Sequence, residues 1–438
     1  MKIEKRLPNR VSRRTFIKGS VGTAALGLAL GASSASIPRV ASAQAKPKLT
    51  IVVRGFFGPK TNDLFKEQAE GWGKKNNVDV ACDIISMNDI PAKAATAAEA
   101  GAGPDIIHLF DGVPYLYADK LVDVSDVANA LIKEYGGFFD IAKDVCSEGG
   151  KWFALPHTGT THCMVYRIDV FKKLGLKVPD TWDEFLEAGK KLKANKYSVG
   201  WPIAHAAGDG NSFMYTILWC YGGKEVEKDG KTLALDSPAT AKCLEMIKKL
   251  YTQAFDPGVT SWDDSSNNRA FLAGKLALTG NSPSIYNASF KDAPQLTEHI
   301  GHALYPKGPG GRHLRAETQS FGLFKYSKVQ DEAKALMKYL MSKPQYDEWI
   351  TATGGDRVGM FKINADLEIW KKDPKLKPVM EAMQYSHMQG WPGPTTRLSA
   401  EAFNNFILID MATMVVKGST PKAAIAWGVE QYKKLMRA

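Results

Sequence analysis

Cysteine is scarce and scattered. The 438-residue chain has five, Cys82, Cys146, Cys163, Cys220 and Cys243, and no two are spaced for a C-x-x-C redox or zinc pattern. An odd number cannot pair fully within one chain, so they read as small buried apolar side chains rather than a disulfide framework. Long apolar runs are lacking too. Residues 21–32 form the longest one near the start, too short and too rich in glycine and alanine to span a membrane. A dominant charge sign is also missing. The formal net charge is +11, but residues 1–43 hold eight of the 57 basic residues and one of the 46 acids. The remainder is mildly basic and carries no basic run, which argues against a nucleic-acid partner. Finally, there is no G-x-x-x-x-G-K-[ST], H-E-x-x-H, G-x-S-x-G or G-x-G-x-x-G, and no internal repeat.

What is present starts with Ser12-Arg13-Arg14-Thr15-Phe16-Ile17-Lys18. This fits the twin-arginine export pattern, followed by the apolar run and an A-x-A cleavage site, Ala41-Ser42-Ala43. Residues 1–43 are therefore expected to be a signal peptide removed in the periplasm. No cysteine sits at the cut, so a lipid anchor is not expected. The residues that follow are too many for one comfortable core and predict two domains.

Apolar spacing predicts strand, helix, strand, helix, strand over residues 49–110. That order implies an α/β fold with a mainly parallel sheet. Ligands of such sheets lie beyond the carboxyl ends of strands. Gly55-Phe56-Phe57 and Asp111-Gly112 therefore fall on one rim. A second strand-and-helix region follows, in which Thr181 and Glu184 form a capping box. Asp263-Asp264 sits where acids favour a helix start. The last third is rich in helices, with one expected over residues 400–417 and another opened by Thr420-Pro421.

Histidines offer one candidate chemistry. His157 and His162 lie five apart, and His299-Ile300-Gly301-His302 is an H-x-x-H pair. An exported metalloenzyme built on these four is the alternative reading, although no third ligand has a clear spacing.

A second pattern recurs more often. Aromatics stand beside small polar residues at loop positions: Phe56-Phe57, Trp201-Pro202, Trp219, Trp262-Asp263-Asp264 and Gly390-Trp391-Pro392. Polyhydroxylated ligands need flat apolar faces to stack on and neighbouring groups to bond their hydroxyls. Trp182, Trp349 and Trp427 lie on helical patterns and read as core. Arg312 and Arg315 sit in a glycine-rich loop and read as solvated, while keeping an acidic ligand open.

In ordered segments the chain resembles the extracellular solute-binding proteins of family 1, the sugar-binding subunits of bacterial ABC importers. The segments are Gly103-Pro104-Asp105-Ile106-Ile107, ending in Asp111; Lys151-Trp152-Phe153-Ala154-Leu155-Pro156, leading to Met164-Val165-Tyr166-Arg167; and Val178-Pro179-Asp180-Thr181-Trp182-Asp183-Glu184-Phe185. Phe271-Leu272-Ala273-Gly274-Lys275-Leu276, Tyr305-Pro306-Lys307-Gly308-Pro309 and Gly418-Ser419-Thr420-Pro421 complete the order. Two places depart from the family pattern. Asn281-Ser282-Pro283 lacks a frequent tryptophan, and Gly354-Gly355-Asp356-Arg357-Val358 replaces a proline-rich turn.

The resemblance implies an α/β, two-lobed periplasmic binding protein of type II, maltose-binding-protein-like, with a hinge between lobes. It places lobe one at 48–157 plus 281–325 and lobe two at 158–280 plus 326–438. It implies a cleft lined by Phe56, Phe57, Asp111, His157, Thr158, Trp201, Trp219, Trp262, Asn281, Arg357 and Trp391, with Asp111 accepting hydroxyl hydrogen bonds. A monomer is expected, delivering a sugar, sugar acid or polyol to ABC permease subunits, with no catalytic residue, metal or cofactor.

Overall fold

The computed structural model describes residues 45–56 and 60–437. The export motif, the cleavage site and Phe57 lie outside the described residues. In chain order the described strands are β1 Lys48–Arg54, β2 Asp79–Ile85, β3 Ile106–Phe110, β4 Ser147–Glu148, β5 Lys151–Trp152, β6 Leu155–Thr160 and β7 Cys163–Arg167. They continue as β8 Ser198–Val199, β9 Leu276–Asn281, β10 Ile300–Ala303, β11 Leu314–Arg315, β12 Glu317–Leu323, β13 Val358–Gly359 and β14 Ser386–His387.

Two principal sheets result. The first has six strands in the order β13-β6-β12-β3-β1-β2. β1 runs parallel to β2 and β3, whereas β12 returns antiparallel between β3 and β6. The predicted strand-helix alternation forms this sheet. Leu49, Ile51, Val52 and Val53 are all buried, as a strand covered on both faces requires. The second sheet has four strands in the order β10-β7-β9-β8. Its companion helix Asp209–Cys220 is buried at every position and packs against β11 and the helices Pro238–Gln253 and Ile407–Val416. This is the two-lobed, maltose-binding-protein-like type II fold.

The sheets divide the chain differently from the expected lobes. After β9 the chain stays with the four-stranded sheet, because β10 pairs antiparallel with β7. It returns to the six-stranded sheet only at β12. Helices Gln330–Leu340 and Lys343–Ala352 then pack on helix Thr61–Lys75 beside β2. Residues 284–303 and 330–352 thus exchange places relative to the sequence-based assignment. Apolar alternation marks a strand but not the sheet it joins.

Local signals held where side-chain chemistry is decisive. Thr181 and Glu184 form the capping box, and Thr420 caps helix Pro421–Leu435. All five cysteines are free and buried. The long helix expected over 400–417 is instead two, Arg397–Asn404 and Ile407–Val416, broken where Phe406 adopts φ +55°. Trp182 and Trp349 are core, whereas Trp427 is half-buried.

Candidate functional site

Three adjoining cavities, of about 350, 320 and 20 Å³, open between the two sheets and share Met87 and Asp264. One wall comes from the carboxyl ends of the six-stranded sheet: Arg54, Gly55 and Phe56 at the end of β1, Met87 after β2, and Phe110 and Asp111 at the end of β3. The facing wall comes from residues 205–209, Asp264, and Asn281 and Ser282 at the end of β9, joined by Phe403 and Phe406. Parallel strands direct loop side chains into this position.

The cleft floor is a buried charge cluster. Asp111 adopts φ +47°, which turns its carboxylate back onto β12. One oxygen accepts the Thr318 amide at 2.9 Å and the other accepts the Arg315 guanidinium. Burial pushes Asp111 up to about 6, against the opposing pull of Arg315. Arg315, expected at the surface, is fully buried. It also donates to Ser212 Oγ at 3.0 Å and lies 4.5 Å over the Phe403 ring. Arg357 donates to Asp356 at 3.0 Å and to Gln319 Oε1 at 3.3 Å. Burial, reinforced by Arg357, lowers Arg54 to about 9.

Glu317 stands among these cations without bonding them closely. Its oxygens lie 3.5 Å from His162 Nε2, 3.8 Å from Arg315 and 4.0 Å from Arg357. Burial would push Glu317 up, but the field of His162 and the three arginines outweighs it and holds the carboxyl below its ordinary value. Burial lowers His162 to about 4. Asp209 is pushed well up by burial and by Asp264 and Glu317 beside it. Asp264 accepts the Gly208 and Asp209 amides at 3.1 and 2.8 Å, and so caps the helix Asp209–Cys220. Its neighbour Asp263, expected to cap the helix that follows, accepts the Ser265 amide and the Ser266 hydroxyl just ahead of that helix, whose N-cap is Ser265.

Of the residues singled out from sequence, Phe56, Asp111, Asn281 and Arg357 reach the cleft cavities. Others serve as packing. His157 shares a 3.0 Å hydrogen bond with His108 and packs on Phe321 and Trp349, with ring centroids 4.4 and 4.6 Å away. Thr158 donates to the Val358 carbonyl inside the sheet. Trp201 is fully buried against Tyr305 and Gly280. Trp219 is fully buried beside Trp391 and His387. Trp262 covers Gly200, half-buried. Trp391 stacks on His387 at 4.3 Å and lines a separate, more open groove of about 990 Å³.

The four candidate histidines of the metal reading do not converge. His157 is in the six-stranded lobe's aromatic core, His162 in the cleft, and His302 bonded to the Lys375 carbonyl. Among the described residues no group of three or more His, Cys, Asp or Glu is placed to hold a metal ion.

Residues 58–347 match the family described as bacterial extracellular solute-binding protein. The chain belongs to that family. Among relatives of this solute-binding protein is the multiple sugar-binding protein of Streptococcus mutans, 24% identical over 301 residues that cover 64% of this chain and 69% of that one. An ABC transporter solute-binding protein of Thermotoga lettingae, solved with α-D-tagatose, superposes with a TM-score of 0.77 at 19% identity, covering 89% of this chain and 100% of that one. Maltose-bound MalE3 of T. maritima gives 0.76 at 23% identity, covering 89% and 99%. These structural likenesses concern the fold.

Arg54, Met87, His162, Asp209, Asp264, Glu317 and Gln389 were not foreseen as cleft residues. Arg54 and Met87 were open to the strand-end argument that found Phe56 and Asp111. Glu317 and Gln389 carried no local signal, because Glu317 begins β12 and Gln389 follows the two-residue strand β14.

Proposed function

We propose that this protein is the periplasmic substrate-binding component of an ABC importer. It captures a sugar or related polyhydroxylated solute between its lobes and delivers it intact to permease subunits in the inner membrane. The observation that carries this reading is the cavity of about 350 Å³ lined on one side by strand ends of the six-stranded sheet, with Asp111 and Glu317, and on the other by residues 205–208, Asp263, Asp264, Phe403 and Phe406. Its size suits a small molecule, since such pockets span roughly 300–1,000 Å³. Contacts to both walls form together only when the lobes are closed, so the solute shifts the population toward closure. Phe56, Asp111, Asn281 and Arg357 are the sequence-derived residues assigned to this site, with Asp264 and Glu317 added.

Lobe one is assigned to residues 48–160 and 317–359, and lobe two to 163–303 and 374–435. The crossings then include Thr161-His162 and residues 304–316. Export by the twin-arginine route follows from residues 12–18, and a host lacking that translocase should retain the precursor.

The test is calorimetry and thermal denaturation of the purified protein against a panel of sugars, sugar acids and polyols, with small-angle scattering on any solute that binds. A binding solute that reduces the radius of gyration supports the reading. A protein that binds none of the panel, or binds without compaction, refutes it.

A further inference from the structure

The end of β3 meets the opposite lobe at Gly112, beside the cavity of about 350 Å³ that Gly112, Val113, Gln389 and Phe403 help to line. The short helix Val113–Leu116 packs on β3 and on helix Asp140–Cys146, both of lobe one. Facing it, helix Arg397–Asn404 packs on Ile407–Val416 and Pro421–Leu435, and Ile407–Val416 rests on helices Asp209–Cys220 and Pro238–Gln253 of lobe two. Helices Val113–Leu116 and Arg397–Asn404 touch each other. The contact therefore joins the lobes away in sequence from the assigned crossings.

The fit is close. A β-carbon on Gly112 would lie 2.5 Å from Gln389 Nε2, 3.0 Å from Ala400 Cβ and 3.1 Å from Thr395 Cγ2. That space is occupied, and three residues of lobe two occupy it. Gly112 has a φ of −80°, a negative value that an L-residue adopts. Glycine is needed here for the approach of the other lobe, not for backbone conformation.

Gln389 reaches this contact at a cost. It is fully buried, and among the described residues neither its side-chain oxygen nor its nitrogen has a hydrogen-bond partner. Its backbone is fixed: the Gln389 carbonyl accepts the Thr395 hydroxyl at 3.0 Å, and the following Gly390 amide donates to Glu225 at 2.9 Å. Parting of the lobes would return the side-chain amide to water. Closure takes it out of water without replacing its bonds, and an unmet buried donor or acceptor opposes that step.

We propose that Gly112 and Gln389 form a closure contact. The bare backbone of Gly112 sets how far the lobes approach, and desolvation of the Gln389 amide biases the empty protein toward the open form. The inference rests on the importer reading and concerns its open-to-closed equilibrium rather than the identity of the solute. A solute bonded to both walls offsets the amide's desolvation and draws the lobes together.

The experiment is calorimetry with hexoses, disaccharides, hexuronic acids and pentitols as probes. Gln389→Met keeps the length of the side chain and removes its amide. It should bind the wild-type protein's probe about fivefold or more tighter, a gain that structural damage does not produce. Gly112→Ala should bind the same probe about fivefold or more weaker, with unliganded melting temperatures verifying that both variants fold. Unchanged affinity in either variant overturns the proposal and leaves the importer standing. A second arm needs no solute. Gly112→Cys with Ala400→Cys places two β-carbons near the separation of about 3.8 Å that a disulfide spans, and all five native cysteines are buried. Oxidation that lowers the radius of gyration of the empty protein supports the closure contact. Oxidation that leaves it unchanged shows a permanent contact and overturns the proposal. A wild-type protein that binds no probe refutes the importer reading, and the oxidation arm still decides the contact.

Discussion

Removing the Arg315 guanidinium is the sharpest test of how the charge cluster holds the cleft together. Arg315 and Asp111 are a buried ion pair, with side-chain exposures of 0% and 8%. The pair links the end of β3 to the crossing segment that carries β11. Taking one partner from a buried pair costs about 3–5 kcal/mol, because the other charge is left uncompensated. In Arg315→Ala that penalty is limited by protonation of Asp111. Burial already raises Asp111 from 3.8 to about 6 despite Arg315, worth about 3 kcal/mol at 1.4 per pH unit. Without Arg315 the carboxyl rises further and is neutral at pH 7, adding roughly 1–2 kcal/mol there. At pH 5 Asp111 is protonated in both proteins, so this increment vanishes. The loss of the Ser212 bond and the Phe403 contact remains at both pH values. Urea denaturation should therefore show Arg315→Ala costing about 4 kcal/mol at pH 7 and roughly 1–2 kcal/mol less at pH 5. Adding Asp111→Asn should remove the pH-dependent difference. A cost below about 1 kcal/mol at pH 7, or a larger cost at pH 5, would refute the reasoning.

Asp111 alone gives the wild-type protein a distinct pH signature. A carboxyl raised in the folded state binds more protons there than in the unfolded chain, so its contribution to stability declines as pH climbs from about 4 to 6. Asp111→Asn should lessen the slope of the stability profile in that window, leaving the share of Asp144, which burial also raises to about 6, and an unchanged slope counts against the assignment. Gly280→Ala would place a β-carbon 1.5 Å from Trp201 Cζ2. Either the indole or β9 must move, so the variant should lose about 3 kcal/mol or more, or fail to accumulate in soluble form. His157→Ala should cost about 2–4 kcal/mol through its aromatic packing while leaving solute affinity within about twofold. Calorimetry showing a large affinity loss without destabilisation would return His157 to the cleft.

The fold was legible where the chain obeys one period at a time. The apolar run of β1 and the alanine-rich helix Ile90–Ala100 predict the parallel core directly. Capping residues located helix starts because a hydroxyl and a carboxylate three residues apart satisfy known backbone donors. What stayed hidden was long-range pairing. β10 and β12 are separated by only thirteen residues and belong to different sheets. No composition difference between Ile300–Ala303 and Glu317–Leu323 records that crossing.

The site shows the same division for a physical reason. Aromatics suggested a cleft because sugars stack on them, yet tryptophan is also the largest core side chain. Trp201 and Trp219 are consumed by packing. The strand-end rule performed better, since it depends on backbone direction rather than on residue type, and it delivered Phe56 and Asp111. It fails for Glu317, which begins its strand, and for Arg315, whose glycine-rich neighbourhood resembles a surface loop. Both lie where residues 304–316 pass from one sheet to the other. A crossing segment must carry its polar groups through the boundary between two cores. There they meet neither water nor a complete set of partners, and they pair with one another or remain open toward the cleft. Arg315 with Asp111 represents the first outcome, and His162, which lines the cleft with no bond closer than 3.5 Å to Glu317, the second. Arg315 and His162 take part in the buried charge cluster from such crossings, and these positions cannot be located before the strand order is known.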